Sequence, residues 1–243
     1  MKKSIYKTII DPDYPLLVEL KEKAPGTYRH CSNMLTFCEH ISKQLDLDTD
    51  LMRAAAIYHD IGKMNSPKVF SENQNGSGNI HEKLEPKTSY HLITRHVGDG
   101  ILILLQIPCM TIELLNIISQ HHGNTVLRYF ADKDDVDEDK YRYKCSAPTT
   151  LESSVLMITD SVEATARSLY NNGKMGDSDE KMNVIENTVN RLINDNQLDQ
   201  LKVGYLKKIK LVLHKELQTM YHKREDYDEH TEKEIIKEPT EEK

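Results

Sequence analysis

The chain has 243 residues, of which 38% are hydrophobic and 29% charged, with a net charge of −7 and a sequence pI of about 5.9. That is enough chain and enough apolar content for one large domain or two small ones with a sizeable core. The acidic balance argues against a general nucleic-acid binder, which needs a basic field to displace phosphate counterions, but it leaves room for a small anionic substrate met by bound cations.

Along the chain the pattern is helical, with little period-2 alternation, so an all-α bundle is expected. Residues 1–26 read as an irregular lead, interrupted by Pro12, Pro15, Pro25 and Gly26. After Met1-Lys2-Lys3 only a short apolar patch precedes Asp11-Pro12-Asp13, so no signal peptide is expected. Thr27 is a candidate cap for a first helix, on which Met34, Cys38, Ile41 and Leu45 form one apolar stripe. Thr49 or Asp50 caps a second helix, which carries Leu51, Met52, Ala55 and Ala56 and ends near Gly62. Residues 64–81, rich in Asn, Ser and Gly, read as a long loop of the kind that is often functional.

A third helix is predicted from Pro86 towards Ile107 and a fourth from Pro108 to His122, stopped by Gly123. Pro108 divides the apolar run from Ile101 to Ile118 into pieces too short to span a bilayer, so two buried helices meeting at a turn are expected there. Ala131 to Lys144 is strongly charged and reads as a surface excursion. Further helices are predicted over Leu151–Tyr170, Met182–Asn194 and Val203–Tyr221. The expected organisation is a single domain over residues 27–225 and a charged, disordered tail over 226–243. Cys31, Cys38, Cys109 and Cys145 include no C-x-x-C pair, which suits buried, reduced thiols and a cytoplasmic protein.

Among eleven histidines, a few placements stand out. His59-Asp60 closes the second helix. Neighbouring helical residues point about 100° apart and suit a binuclear site better than a single ion; a helix-end histidine with a capping aspartate is the plain alternative. His121-His122 either bind metal or complement a helix C-terminus. His96 by itself reads as a core histidine. Asp160 follows Leu156-Met157-Ile158 in a buried-looking helix and needs a metal or an ion pair there. Taken together, His30, His59, Asp60, His96, His121, His122 and Asp160 come from five predicted helices and can converge at the centre of a bundle. That donor set suits two six-coordinate ions with positions left for water and substrate, and imidazole with carboxylate suits Mn, Fe, Co or Zn.

The order His, His-Asp, His, His-His, Asp resembles the binuclear form of the HD superfamily. Several segments are similar to the membrane-linked HD phosphodiesterases that hydrolyse cyclic di-AMP, the PgpH type. They are Ala24-Pro25-Gly26-Thr27-Tyr28-Arg29-His30, Tyr58-His59-Asp60-Ile61-Gly62-Lys63, Glu72-Asn73-Gln74, His96-Val97-Gly98-Asp99-Gly100, Gln120-His121-His122-Gly123 and Thr159-Asp160-Ser161-Val162-Glu163-Ala164. Arg29 departs from the pattern, standing where those proteins carry the first histidine of a pair, and no membrane-spanning segment is evident here.

This resemblance implies two divalent transition-metal ions, Mn or Fe. One would be held by His30, His59, Asp60 and Asp160 and the other by Asp60, His96, His121 and His122, with Asp60 bridging. It implies metal-assisted hydrolysis of a phosphodiester, cyclic di-AMP to linear pApA. Asp60 and Lys63 are the expected catalytic residues. Lys63 could donate to a phosphate or only complement a helix end, Arg29 could approach a phosphate, and His81, in a family-like stretch, could line the substrate pocket. His40, His214, His222 and His230 read as solvated and His91 as packing. The expected partner is a small cyclic dinucleotide rather than duplex nucleic acid. A nucleotidase for a mononucleotide or alarmone, and a non-catalytic nucleotide sensor, are the competing readings.

Overall fold

The computed structural model describes residues 6–74, 78–108, 110–134 and 137–235, with side chains up to residue 221. Its helices are α1 (Tyr6–Ile9), α2 (Pro15–Lys23), α3 (Pro25–Leu45), α4 (Thr49–Tyr58), α5 (Pro86–Leu104), α6 (Ile112–Ser119), α7 (Arg128–Asp134), α8 (Leu151–Asn171), α9 (Ser178–Asn194) and α10 (Val203–Ile235). Short 3₁₀ turns fill the 61–82 connection and Glu138–Tyr141, and among the described residues the one β feature is an isolated bridge between Val126 and Arg142. The architecture is the all-α bundle expected from the periodicity.

At the centre lie α3 and α8. Helix α3 packs against α2, α4, α8 and α10, and its stripe Met34, Phe37, Cys38 and Ile41 is fully buried. In α8 every residue from Ser153 to Asp160 is buried, so this helix is enclosed on all sides and anything polar on it needs a partner. A reciprocal Thr150–Ser153 capping box starts it, satisfying end amides that burial would otherwise leave unpaired. Helix α4 is capped by Asp48, whose carboxylate accepts from the amides of Asp50 and Leu51, rather than by Thr49 or Asp50.

Four stretches differ from the sequence expectation. The lead contains α1 and α2. Pro15 sits in the first turn of α2, where its missing N–H costs nothing, and Tyr6, Ile9, Leu17 and Leu20 are buried; Tyr58 Oη donates to the Ile9 carbonyl (2.5 Å). The stretch after Gly123 is no simple surface excursion: Phe130, Ala131 and Tyr141 bury against Tyr90 in a second, smaller core. Between Ile101 and Ile118, α5 stops at Leu104 and α6 starts only at Ile112, leaving Leu102, Leu105 and Ile112 exposed. Cys109 lies outside the described residues. Helix α10 runs past Tyr221 to Ile235, into the segment expected as tail. No helix among the described residues is long and apolar enough to cross a membrane.

Candidate metal centre

His30 lies in the second turn of α3. The amides that open this helix are satisfied from far along the chain: Asn73 Oδ1 accepts from Gly26 N (2.9 Å) and Thr27 N (3.1 Å), while Asn73 Nδ2 donates to Thr27 Oγ1 (2.9 Å). A Cβ at Gly26 would collide with the Glu72 carbonyl, which is why this packing needs glycine. His59 closes α4, and Asp60 falls in the following turn with φ −105° and ψ 12°, off the helix. The chain therefore turns between the two neighbours, and both side chains can face one cavity. A Cβ on Gly62 would strike the His96 carbonyl and the Gly100 amide, so this glycine lets the turn after Asp60 sit directly on α5, which carries His96. His121 and His122 follow the end of α6, and Asp160 projects from α8.

These elements bring all seven candidate donors together. Asp60 stands in the middle with its two oxygens facing different partners. Oδ2 lies 3.4 Å from His59 Nε2 and 3.7 Å from His30 Nε2. Oδ1 lies 3.3 Å from His96 Nε2 and 3.8 Å from His121 Nε2. Asp160 Oδ1 is 3.1 Å from His30 Nε2, and its Oδ2 is 3.7 Å from His122 Nδ1. Among these seven, two donor groups result, His30–His59–Asp160 and Asp60–His96–His121–His122, and Cys31 forms a third with His59 and Asp60. His30, His59, Asp60, His96 and His121 are each no more than 2% exposed.

The hydrogen bonds fix which ring atoms face the cavity. His59 Nδ1 donates to the Ala56 carbonyl (2.8 Å), His96 Nδ1 to Ile93 (2.6 Å) and His121 Nδ1 to Ile118 (2.6 Å). A carbonyl only accepts, so each Nδ1 carries the proton and each neutral ring turns an Nε2 lone pair inward. These lone pairs crowd: His30 and His59 Nε2 are 3.2 Å apart, His96 and His121 Nε2 3.4 Å. Asp60 Oδ1 is buried without a hydrogen-bond donor. Converging lone pairs and an orphaned carboxylate oxygen in a dry cavity fit a divalent cation.

The electrostatics lead to the same demand. Burial pushes the Asp60 carboxyl up, but Lys63 and His59 outweigh it and hold it well below the usual range. Asp160 is likewise held low against burial, by the neighbouring His30 and His59. Burial first and His59 second push His121 down to about 3, and burial with His121 lowers His122. Burial also works against charge on His30 and His59, yet Glu163 and Asp160 pull His30 up to about 10, and Asp60 and Cys31 pull His59 above its ordinary value. The carboxylates thus call for positive charge at those two Nε2 atoms. A proton and a divalent cation would compete for that place, so ion binding there would be favoured at higher pH.

Lys63 is held between Asp60 Oδ2 (2.6 Å) and Glu72 Oε1 (2.8 Å), with its ammonium 4.8 Å from the Phe70 ring centroid. Both carboxylates raise its pKa against burial, so it stays charged. Its partners are the cage and the 3₁₀ segment that caps α3. Arg29 is exposed, with no contact to the cage among the described residues. His81 is buried, but its Nε2 pairs with the Val69 carbonyl (2.8 Å) and its ring meets Phe130 edge-on. His91 is exposed beside Tyr90 instead of packed in the core.

A cleft of ≈590 Å³ opens beside the cage, and of the seven donors only His122 and Asp160 reach its wall. Tyr129, Phe130 and Tyr143 offer aromatic surface there, and Ser161 and Thr165 offer hydroxyls. Tyr143 lies against His122 with ring centroids 4.4 Å apart. Arg128 pairs with Glu138 (2.8 Å); among the described residues Arg191 is the cleft-lining cation without an anionic partner. Lys63, Arg29 and His81 do not line this cleft.

Sequence reading assigned no role to Glu163, Glu72, Asn73, Phe70 or Tyr143. Glu163 could have been found, because it follows Asp160 by three residues on one face of α8. The others act across long sequence separations and carry no local signal. Cys31 Sγ lies 4.0 Å from His59 Nδ1, the nitrogen already committed to Ala56, so it stands behind the ring and away from the inward lone pair. Cys31 and Cys38 are buried free thiols, and burial pushes Cys38 up to about 12.

The HD domain family model matches residues 27–165. The chain is 34% identical over 230 residues to the cyclic-di-AMP phosphodiesterase PgpH of Listeria monocytogenes, covering 90% of this chain and 31% of that protein. It is 31% identical over 230 residues to PgpH of Bacillus subtilis, covering 92% of this chain and 32% of that protein. The chain therefore spans about a third of the length of the curated relatives it matches. The crystal structure of the L. monocytogenes PgpH HD domain in complex with cyclic-di-AMP superposes with a TM-score of 0.80 at 33% identity, over 87% of this chain and 100% of that one. The chain belongs to the HD domain family.

Proposed function

We propose that this protein is a metal-dependent phosphodiesterase that opens a cyclic dinucleotide, cyclic di-AMP, to linear pApA. The observation that carries the reading is Asp60, whose two carboxylate oxygens face two separate sets of imidazole nitrogens. A carboxylate so placed suits a bridge between two ions, Mn or Fe. When bound, such ions supply Lewis-acid stabilisation of phosphate oxygens and a nucleophilic water at neutral pH. His30, His59 and Asp160 would complete one position, and His96, His121 and His122 the other.

The remaining residues position and enclose. Lys63, ion-paired to Asp60, fixes that carboxylate and neutralises part of the charge when a phosphate approaches. Tyr143 supports His122 at the mouth of the cleft. The cleft, at ≈590 Å³, falls within the usual range for small-molecule sites. Its aromatic wall suits stacking of a nucleobase, and Arg191 suits the phosphate remote from the metals. The substrate assignment draws on the relatives named cyclic-di-AMP phosphodiesterases and on the neighbouring structure in complex with cyclic-di-AMP. It is tested by chromatographic assay with Mn²⁺ or Fe²⁺ on cyclic di-AMP, cyclic di-GMP, mixed cyclic dinucleotides and a linear alarmone. Conversion of cyclic di-AMP to pApA is the expected result. Fast cleavage of the alarmone with every cyclic dinucleotide untouched would make the protein a nucleotidase instead.

A further inference from the structure

The imidazoles of the cage are not all backed in the same way. Behind His59, His96 and His121 stands a neutral backbone carbonyl, in each case that of the residue three positions earlier. Behind His30 stands a carboxylate: Glu163 Oε2, 2.6 Å from His30 Nδ1. Glu163 is fully buried, and an ionised carboxylate there needs strong reasons to stay ionised. The structure supplies them. Asn33 Nδ2 donates to Oε1 (3.0 Å), and Arg167 Nε donates to Oε2 (3.2 Å) as an i,i+4 ion pair on α8. A carboxylate accepting from Nδ1–H pushes electron density through the ring and makes Nε2 a better donor to a cation than a carbonyl-backed imidazole.

We propose that Glu163 is a positioning residue that acts on one half of the cage only, strengthening ion binding at the His30–His59–Asp160 position through His30. This rests on the two-ion reading above. At the Asp60–His96–His121–His122 position, the described contacts of His96 and His121 Nδ1 end on neutral carbonyls instead. The two ions should therefore differ in how they respond to a single buried side chain that touches neither. Because Glu163 shares α8 with Asp160, it also fixes the angle at which two ligands from different helices, α3 and α8, meet.

The test is calorimetric titration of the metal-stripped chain with Mn²⁺. Wild type should take up two ions. Glu163→Gln should weaken one of the two binding steps about 10- to 100-fold and leave the other within about threefold. The neutral amide can still accept from Nδ1–H, but without the charge. Coupling identifies the route. In a His96→Ala background the Glu163→Gln effect should persist; in a His30→Ala background it should vanish. Thermal unfolding of the metal-stripped variants within a few degrees of wild type would show that the fold is kept, and Arg167→Ala, which only removes an outer partner of Glu163, should show a smaller loss at the same step. An unchanged titration for Glu163→Gln, an equal loss at both steps, or an undiminished effect in the His30→Ala background would overturn the proposal. Uptake of one ion by wild type would instead sink the two-ion reading, and the claimed selectivity with it.

Discussion

The cage and the cleft wall beside it are built in opposite ways. His30, His59, His96 and His121 are each held at the rear by a hydrogen bond and packed where almost no solvent reaches, while His122 sits partly exposed at the cleft mouth. The cleft wall sets one face of α8 against the 125–130 segment and the end of α9; on that outer side Arg128 pairs with Glu138 at the surface and Tyr129 stays 55% exposed. Isolated surface pairs of that kind contribute about 0–1 kcal/mol. A reaction centre needs donors fixed to a fraction of an ångström, whereas a substrate rim can be altered at little cost to the core. On the proposed function, chemistry would belong to the first region and substrate choice to the second.

The contrast can be broken from either side. Asp60→Ala attacks the cage at its shared point and should have the largest effect: turnover down at least about 10³-fold, or about 4 kcal/mol of barrier, with lower metal content by elemental analysis. Near-normal metal content and turnover would remove Asp60 from the centre. Tyr129→Ala attacks the wall. If it stacks a base, worth about 1–3 kcal/mol, KM for cyclic di-AMP should rise roughly 5- to 150-fold with metal content unchanged. Arg191→Ala should be milder because the guanidinium is exposed, raising KM about 5- to 10-fold for a loss of roughly 1 kcal/mol, an effect that shrinks in high salt. Loss of metal in either wall variant would mean that the two regions are not separable. His91→Ala, an exposed residue outside both regions, should leave kcat, KM and metal content at wild-type values.

The same contrast explains what could be read from the sequence. The seven candidate donors are chemically distinctive residues at helix ends or on apolar helices, so pattern and residue type pick them out together. The helices α3, α4, α8 and α9 are visible because their apolar stripes repeat at helical spacing. Ala131 to Lys144 reads as a charged excursion because Asp and Lys dominate its composition, while burial there depends on Ala131 and Tyr141 joining Phe130 and Tyr90, the latter from another helix. The lead reads as irregular because prolines break a helix interior, although Pro15 opens α2. Lys63 reads as a phosphate donor or a helix-end charge, and its ion pairs with Asp60 and Glu72, made by the fold of the 61–74 turns, carry no local signal. His81 looked like a pocket residue, but its ring is committed to the Val69 carbonyl and Phe130.

The central claim is that one buried carboxylate, Asp60, joins two ion positions. Metal analysis of the purified chain, loaded with Mn²⁺ or Fe²⁺ under anaerobic conditions and freed of excess ion, tests it most directly. Two ions per chain in wild type, falling to one or none in Asp60→Ala, is the predicted result. A single ion per chain in fully active wild-type protein would contradict it.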